Sequence, residues 1–395
     1  MWKLFKKAEK QKKVYMDYAS TTPVIPEVLL VMQSVLANQY ANPASLYDLG
    51  IASKKIVEDS RKKIAEIIGS ASSEIIFTSG GTESNNQAFF GLRNPDGRFD
   101  GLHFIVSKIE HSSIIEIAKE ISNLGGEVSF IPVKENGIID TKELSKMIKE
   151  NTRLVSVMMV NNEIGTIQPI DEVVKIVRKA RKNFGTEKIY IHTDACQAPQ
   201  YLSINVIKMG VDMLTLDSGK IYGPKGIGLL YVRKGVQIRP IILGGGQERG
   251  LRGGTEPTHQ IAGFAKALEI VNMDREKETE RITVIRDYAF KKIKENFSDV
   301  IINGDLENRI ANNVNVCFSG IDSEYVVIAL GYAGIECAYA SSCKTLGNDN
   351  SSYVISAIQK NDCASSSLRF TFGRYSKKED VDFLIETLLT VLKNR

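Results

Sequence analysis

The 395-residue sequence contains no apolar run long enough to cross a bilayer, so no membrane span is expected. Its N-terminus, Met1 to Lys13, lacks the apolar core of a secretory signal and is rich in lysine. The expected location is the cytoplasm, with an organellar presequence as the other reading of that basic opening. Histidine is scarce: His103, His111, His192 and His259 are the only four, and none stands in a ligand-spaced pattern such as H-E-x-x-H. A zinc or iron centre has little to build on. The five cysteines (Cys196, Cys317, Cys337, Cys343, Cys363) are odd in number and show no C-x-x-C spacing, which fits reduced thiols better than a disulfide framework. Net charge is also small, with 51 Lys+Arg against 47 Asp+Glu, so nucleic acid is not expected as a main ligand.

What is present is an ordinary globular composition, 43% hydrophobic and 25% charged, in a chain long enough for two domains. Short apolar runs recur at Ile75–Phe77, Phe104–Val106, Val128–Ile131, Leu154–Val160, Ile189–His192, Met213–Leu216 and Ile227–Val232. Strands buried on both faces read this way. Amphipathic helical stretches lie between them, such as Ser53 to Ile68 and Asp171 to Asn183, so the fold class is α/β with a mainly parallel seven-stranded sheet. After Thr255 the pattern changes to a long charged helix and a second set of short strands. This reads as a smaller α+β domain of residues 261–395, joined by 1–14, beside a large domain of 15–260.

Polar clusters follow several of the strands, where open α/β sheets bind ligands. Lys220 sits in a turn between the strand Met213–Leu216 and Gly223-Pro224-Lys225-Gly226. It is either a surface turn lysine or an amine desolvated for Schiff-base chemistry. Gly80-Gly81-Thr82 opens a helix after a strand and offers backbone N–H groups to an anion, unless Thr82 merely caps the helix. Asp194 and Gln197 follow another strand; the carboxylate suits a pyridinium partner or a helix cap. His111 can stack on a flat ligand or serve as a core histidine, and Asn161-Asn162-Glu163 adds a fourth cluster at the same sheet edge. Gly244 to Thr255 reads as a mobile glycine-dense loop with two arginines. Cys343, among small polar residues and beside Lys344, is the best candidate nucleophile. Arg369 suits a substrate carboxylate, whereas Arg374 reads as a structural ion pair.

Taken in order, Tyr15 to Pro23, Asn42-Pro43-Ala44-Ser45, Phe77 to Asn86, Glu110-His111, Val160 to Gly165, Asp194 to Gln197, Lys220 to Gly226, Gly244 to Gly246, Arg252 to Thr255, Cys343 and Arg369 resemble the NifS/IscS-type cysteine desulfurases. These are a class-V aminotransferase branch of the fold-type I pyridoxal 5′-phosphate (PLP) enzymes. The resemblance implies that Lys220 holds PLP, Asp194 pairs with its ring nitrogen, His111 stacks on the ring, and Asn162 and Gln197 bond cofactor or substrate. It further implies that Gly81 and Thr82 hold the phosphate, with Thr255 supplied by the partner subunit of a homodimer. Arg369 would take the carboxylate of L-cysteine. Cys343 would accept sulfur as a persulfide, leaving L-alanine, and pass it to an iron–sulfur scaffold or a sulfur-carrier protein. Selenocysteine lyase and a degenerate, non-catalytic scaffold of the same fold are the alternatives.

One departure stands beside the key lysine. Where this family usually shows Ser-x-His-Lys, the chain has Asp217-Ser218-Gly219-Lys220. An aspartate about 4 Å from a phosphate dianion costs several kcal/mol even at an effective dielectric of about 20. Loss of a charged donor costs roughly 1.5 to 3 kcal/mol more. The expectation is weakened cofactor binding, with Asp217 turned away or neutralised by a neighbour and Ser218 as the replacement donor. Tyr47, where many relatives have histidine, is a second departure without a stated effect.

Overall fold

A computed structural model of the protein describes residues 12–339, 351–358 and 361–393. After a two-residue strand β1 (Val14–Tyr15) come α1 (Pro26–Asn38) and α2 (Asp48–Ile68). The central sheet is then laid down by β2 (Ile75–Thr78), β3 (His103–Ser107), β4 (Glu127–Ile131), β5 (Thr152–Ser156), β6 (Tyr190–Asp194), β7 (Met213–Asp217) and β8 (Gly228–Val232). Between these strands lie α3 (Gly81–Phe90), α4 (Ser112–Asn123), α5 (Thr141–Met147), α6 (Ile170–Phe184) and α7 (Val206–Met209). Spatial order is β2-β8-β7-β6-β5-β3-β4, with β8 antiparallel to both neighbours and the other pairings parallel.

Alternation along the strands explains the continuous apolar runs. Ile105, Val155, Ile191 and Leu214 pack into one hydrophobic cluster, while their strand neighbours Phe104, Leu154, Tyr190 and Met213 pack into another on the opposite face. Both faces are covered, so neither set can be polar. The helix α6 shows how the covering elements are specified. Ile170, Val173, Val174 and Val177 are buried on one stripe, each contributing roughly 1.5 to 3 kcal/mol. Asp171 and Glu172 in the first turn and Arg181 and Lys182 in the last complement the helix dipole, and Gly185 ends it in the left-handed conformation at φ 64°.

The run Leu154–Val160 is longer than the strand it produces. Pairing stops at Ser156, after which the Met158 N–H donates to Glu110 Oε1 and the Met159 N–H to the Asp194 carbonyl. Val157, Met158 and Val160 stay buried and Met159 half-buried while the backbone turns to serve the sheet edge.

Beyond the sheet, α8 (Thr258–Asn296) leads to β9 (Ile301–Ile302), β10 (Asn313–Cys317), α9 (Ser323–Tyr332), β11 (Ile335–Glu336), α10 (Tyr353–Ala357), β12 (Ser367–Thr371) and α11 (Lys378–Lys393). Here β12, β10 and β9 form an antiparallel sheet, and β1 returns to pair with β11. The cysteine expectation is corrected in this part of the fold: Cys317 and Cys363 are disulfide-bonded, 46 residues apart in sequence and 5.4 Å between Cα atoms. Cys317 ends β10 opposite Ser367 of β12, and the turn Asn361–Cys363 precedes that partner strand, so antiparallel pairing carries the two thiols together. Among the described residues Cys196 and Cys337 are free.

Candidate active site

A cavity of about 190 Å³ opens beyond the carboxyl ends of β6 and β7. Lys220, at the end of the 3₁₀ turn Ser218–Lys220, lines it and donates from Nζ to the carbonyls of Ala19 and Ser20. The 3₁₀ turn begins directly after β7 and directs successive side chains to different sides. Ser218 consequently faces away: it is fully buried, its Oγ has no partner among the described residues, and a Cβ added at Gly223 would meet that oxygen. It is not part of the cavity wall.

Asp194, the last residue of β6, is 8% exposed and reaches the cavity. Its Oδ2 accepts from Asn85 Nδ2 at 2.8 Å and its Oδ1 from the Cys196 N–H at 3.0 Å. No cation among the described residues pairs with it. Burial pushes the neighbouring Cys196 thiol well above its usual range, and the Asp194 charge adds to that shift, so Cys196 lines the cavity as a thiol. Glu110 lies close behind. Burial pushes its carboxyl up to about 8, which keeps it protonated at neutral pH, and it binds Ser107 Oγ at 2.6 Å and the Met158 N–H at 2.8 Å.

His111 caps α4: its Nδ1 accepts from the Ser113 N–H at 3.2 Å, which fixes the ring against the cavity. Asn162 and Gln197 also line the cavity, with Gln197 Nε2 anchored on the Ala19 carbonyl at 2.9 Å. Arg369 reaches in from β12. It is 1% exposed, with Nη1 on the Asn162 carbonyl at 2.9 Å and Nη2 on Asp17 Oδ1 at 2.7 Å and Ser20 Oγ at 2.9 Å. Its Nε has no partner among the described residues.

Gly81 and Thr82 begin α3 and form another wall. The anion expected there is supplied by the chain itself: Asp217 Oδ2 accepts from the Gly81 N–H at 2.9 Å, and Oδ1 from the Gly219 N–H at 2.8 Å. Asp217 is thus neither turned away nor neutralised by a lysine. It lines the cavity.

Lys220, Asp194, His111, Asn162, Gln197, Gly81, Thr82 and Arg369 therefore converge. Thr255 is exposed and off this wall. Cys343 lies outside the described residues. Arg374 pairs with Asp274 at 2.5 Å, in keeping with a structural role. The loop Gly244–Thr255, expected to be mobile, is held at two points: buried Glu248 takes Arg61 at 2.7 and 2.8 Å and the Phe77 N–H at 3.0 Å, and Arg252 pairs with Glu83 at 3.0 Å. Partners this distant in sequence leave no local signal.

Sequence reasoning missed Asn85 and Asp17. Asn85 was legible, because it stands four residues after Gly81 and therefore on the same face of α3. Asp17 was not, since its partner Arg369 is 352 residues away.

The pattern of the aminotransferase class-V family matches residues 14–384. The cysteine desulfurase IscS of Dictyoglomus turgidum is 40% identical over 384 residues, covering 97% of this chain and 95% of that one. Cysteine desulfurase IscS 1 of Archaeoglobus fulgidus is 42% identical over 382 residues, with 96% and 97% covered. A solved NifS-like protein superposes with a TM-score of 0.89 at 32% identity, covering 97% of this chain and all of the other.

Proposed function

The chain belongs to the aminotransferase class-V family, and we propose that it is a PLP-dependent cysteine desulfurase that converts L-cysteine to L-alanine and leaves a persulfide on Cys343. The observation that carries this reading is the convergence of Lys220, Asp194, His111 and Arg369, from four distant parts of the sequence, on one cavity. The residues fit the ring end of the cofactor: Asp194 is a buried carboxylate without a cation, which a protonated pyridine nitrogen would supply. At the phosphate end they fit poorly, because Asp217 already holds the Gly81 N–H.

When bound, PLP supplies an electron sink for the substrate's Cα and Cβ bonds. This chain's residues do the rest. Arg369, rigid on β12 and with Nε unpartnered among the described residues, orients the substrate through its α-carboxylate. Lys220 Nζ takes the proton from the substrate Cα, delivers one to Cβ and restores one to Cα. His111, fixed by Ser113, covers the ring face. The Cys343 thiolate attacks the substrate sulfur; an S–S bond forms, the Cβ–S bond breaks, and Cβ is protonated. The two thiol protons account for the methyl hydrogen of alanine and the persulfide proton, so no external oxidant or reductant is needed.

A homodimer belongs to the same proposal. Leu29, Leu30 and Leu36 on α1, together with Leu46 and Tyr47 before α2, are exposed apolar side chains of the kind that a partner covers. Thr255, off its own cavity, would complete the partner's. The persulfide acceptor would be an iron–sulfur scaffold or a sulfur-carrier protein.

The test is to supply L-cysteine, PLP and dithiothreitol, which reduces the persulfide and releases its outer sulfur, and to measure alanine and sulfide for the parent, Cys343→Ala and Lys220→Ala. Stoichiometric alanine and sulfide from the parent, with both variants inactive, is the expected result. A Cys343→Ala protein as active as the parent would sink the persulfide step.

A further inference from the structure

Asp217 ends β7 one turn ahead of Lys220, and its carboxylate is held by two backbone amides, Gly81 N–H at 2.9 Å and Gly219 N–H at 2.8 Å. Gly81 is the first residue of α3, whose unpaired N–H groups and dipole make it a natural seat for an anion. Among the described residues Asp217 enters no ion pair: Lys225, which feels its charge, has its Nζ turned onto the Thr22 carbonyl.

The surroundings are shaped to this side chain. Gly80, at φ 153°, adopts a backbone that L side chains rarely adopt, and a Cβ there would stand 3.1 Å from Asp217 Oδ2. A Cβ at Gly219 would stand 3.2 Å from Oδ1. Asp217 and Gly219 therefore work as one device: Gly219 leaves the room that the Asp217 carboxylate uses. A phosphate brought to the same amides meets both a competitor for its donors and a like charge.

We propose that Asp217 is a built-in occupant of the phosphate cradle, so that the site binds a pyridoxal ring chiefly through Asp194, His111 and Lys220 and gains little from the 5′-phosphate. The proposal rests on the cofactor reading given above. Asp217 then sets which cofactor form the chain accepts, and it caps α3 while the cavity holds none.

The test titrates cofactor-stripped parent, Asp217→Ser and Asp217→Asn separately with PLP and with pyridoxal. Affinity is read from the absorbance of the bound chromophore, and Tm is measured without ligand. The parent should bind the two ligands within about tenfold of one another. Asp217→Ser should bind PLP at least tenfold more tightly, leave pyridoxal affinity unchanged within about threefold, and melt lower when ligand-free. Asp217→Asn keeps an acceptor without the charge, so it should also tighten PLP while losing less Tm, which guards against a serine variant that folds poorly. A parent that prefers PLP by a hundredfold or more overturns the proposal, as does PLP affinity unchanged in both variants. Those results leave the cofactor reading standing. If neither ligand binds any of the three proteins, the cofactor reading falls and takes the proposal with it.

Discussion

Asp194 and Asp217 end adjacent parallel strands, β6 and β7, and both face the same cavity, yet their carboxylates are arranged for opposite purposes. Asp194 is held by an amide side chain and one backbone N–H, with no cation paired to it among the described residues, and waits for a positive partner from outside the chain. Asp217 is held by two backbone N–H groups, one of them at a helix start, and itself serves as the anion. The difference lies in the donors. A carboxylate oriented by neutral groups that cannot cancel its charge attracts a cation, whereas one seated at a helix N-terminus consumes a site that a ligand would otherwise use.

The comparison is most easily broken at Asp194. Asp194→Ala should weaken PLP and pyridoxal binding alike by about tenfold to a hundredfold, the roughly 1.5 to 3 kcal/mol of one charged hydrogen bond, with alanine production falling in parallel. Titration with the two ligands checks this, and a loss confined to PLP would mean that Asp194 and Asp217 do not divide the cofactor between them.

A third carboxyl at the same sheet edge sharpens the contrast by a smaller effect. Glu110, pushed up to about 8 by burial from an ordinary 4.5, holds its proton in the fold. The stability it lends is complete below pH 4.5 and is lost as pH rises toward 8, because the unfolded chain releases that proton more readily. Glu110→Gln keeps an acceptor for the Met158 N–H and removes the titration, so its Tm should fall less than the parent's between about pH 5 and pH 8. Thermal melts across that range decide it; equal slopes would mean that Glu110 is already ionised.

How much of this was legible in the sequence follows from the range of the interactions. The strands were readable because burial on both faces leaves a local apolar run, as in Met213–Leu216, and Lys220 because a strand, a turn and Gly-Pro lie within a dozen residues. The polar clusters at Gly81, His111, Asn162 and Asp194 were readable because each follows a strand, and the fold brings those ends to one edge. The family resemblance added their roles. What stayed hidden depends on distant pairs: Asp17 with Arg369, Glu248 with Arg61, Cys317 with Cys363. The odd identity of Asp217 was visible, but its seat on Gly81, 136 residues away, was not.

The most direct check of the central claim, that this cavity is a PLP site served by Lys220, is to load the purified protein with PLP, reduce it with borohydride and map the pyridoxyl group by peptide mass spectrometry. The account predicts modification of Lys220 and loss of that label in Asp194→Ala at limiting PLP. A label on Lys225, on Lys108 or spread over surface lysines, with Lys220 unmodified, would contradict it.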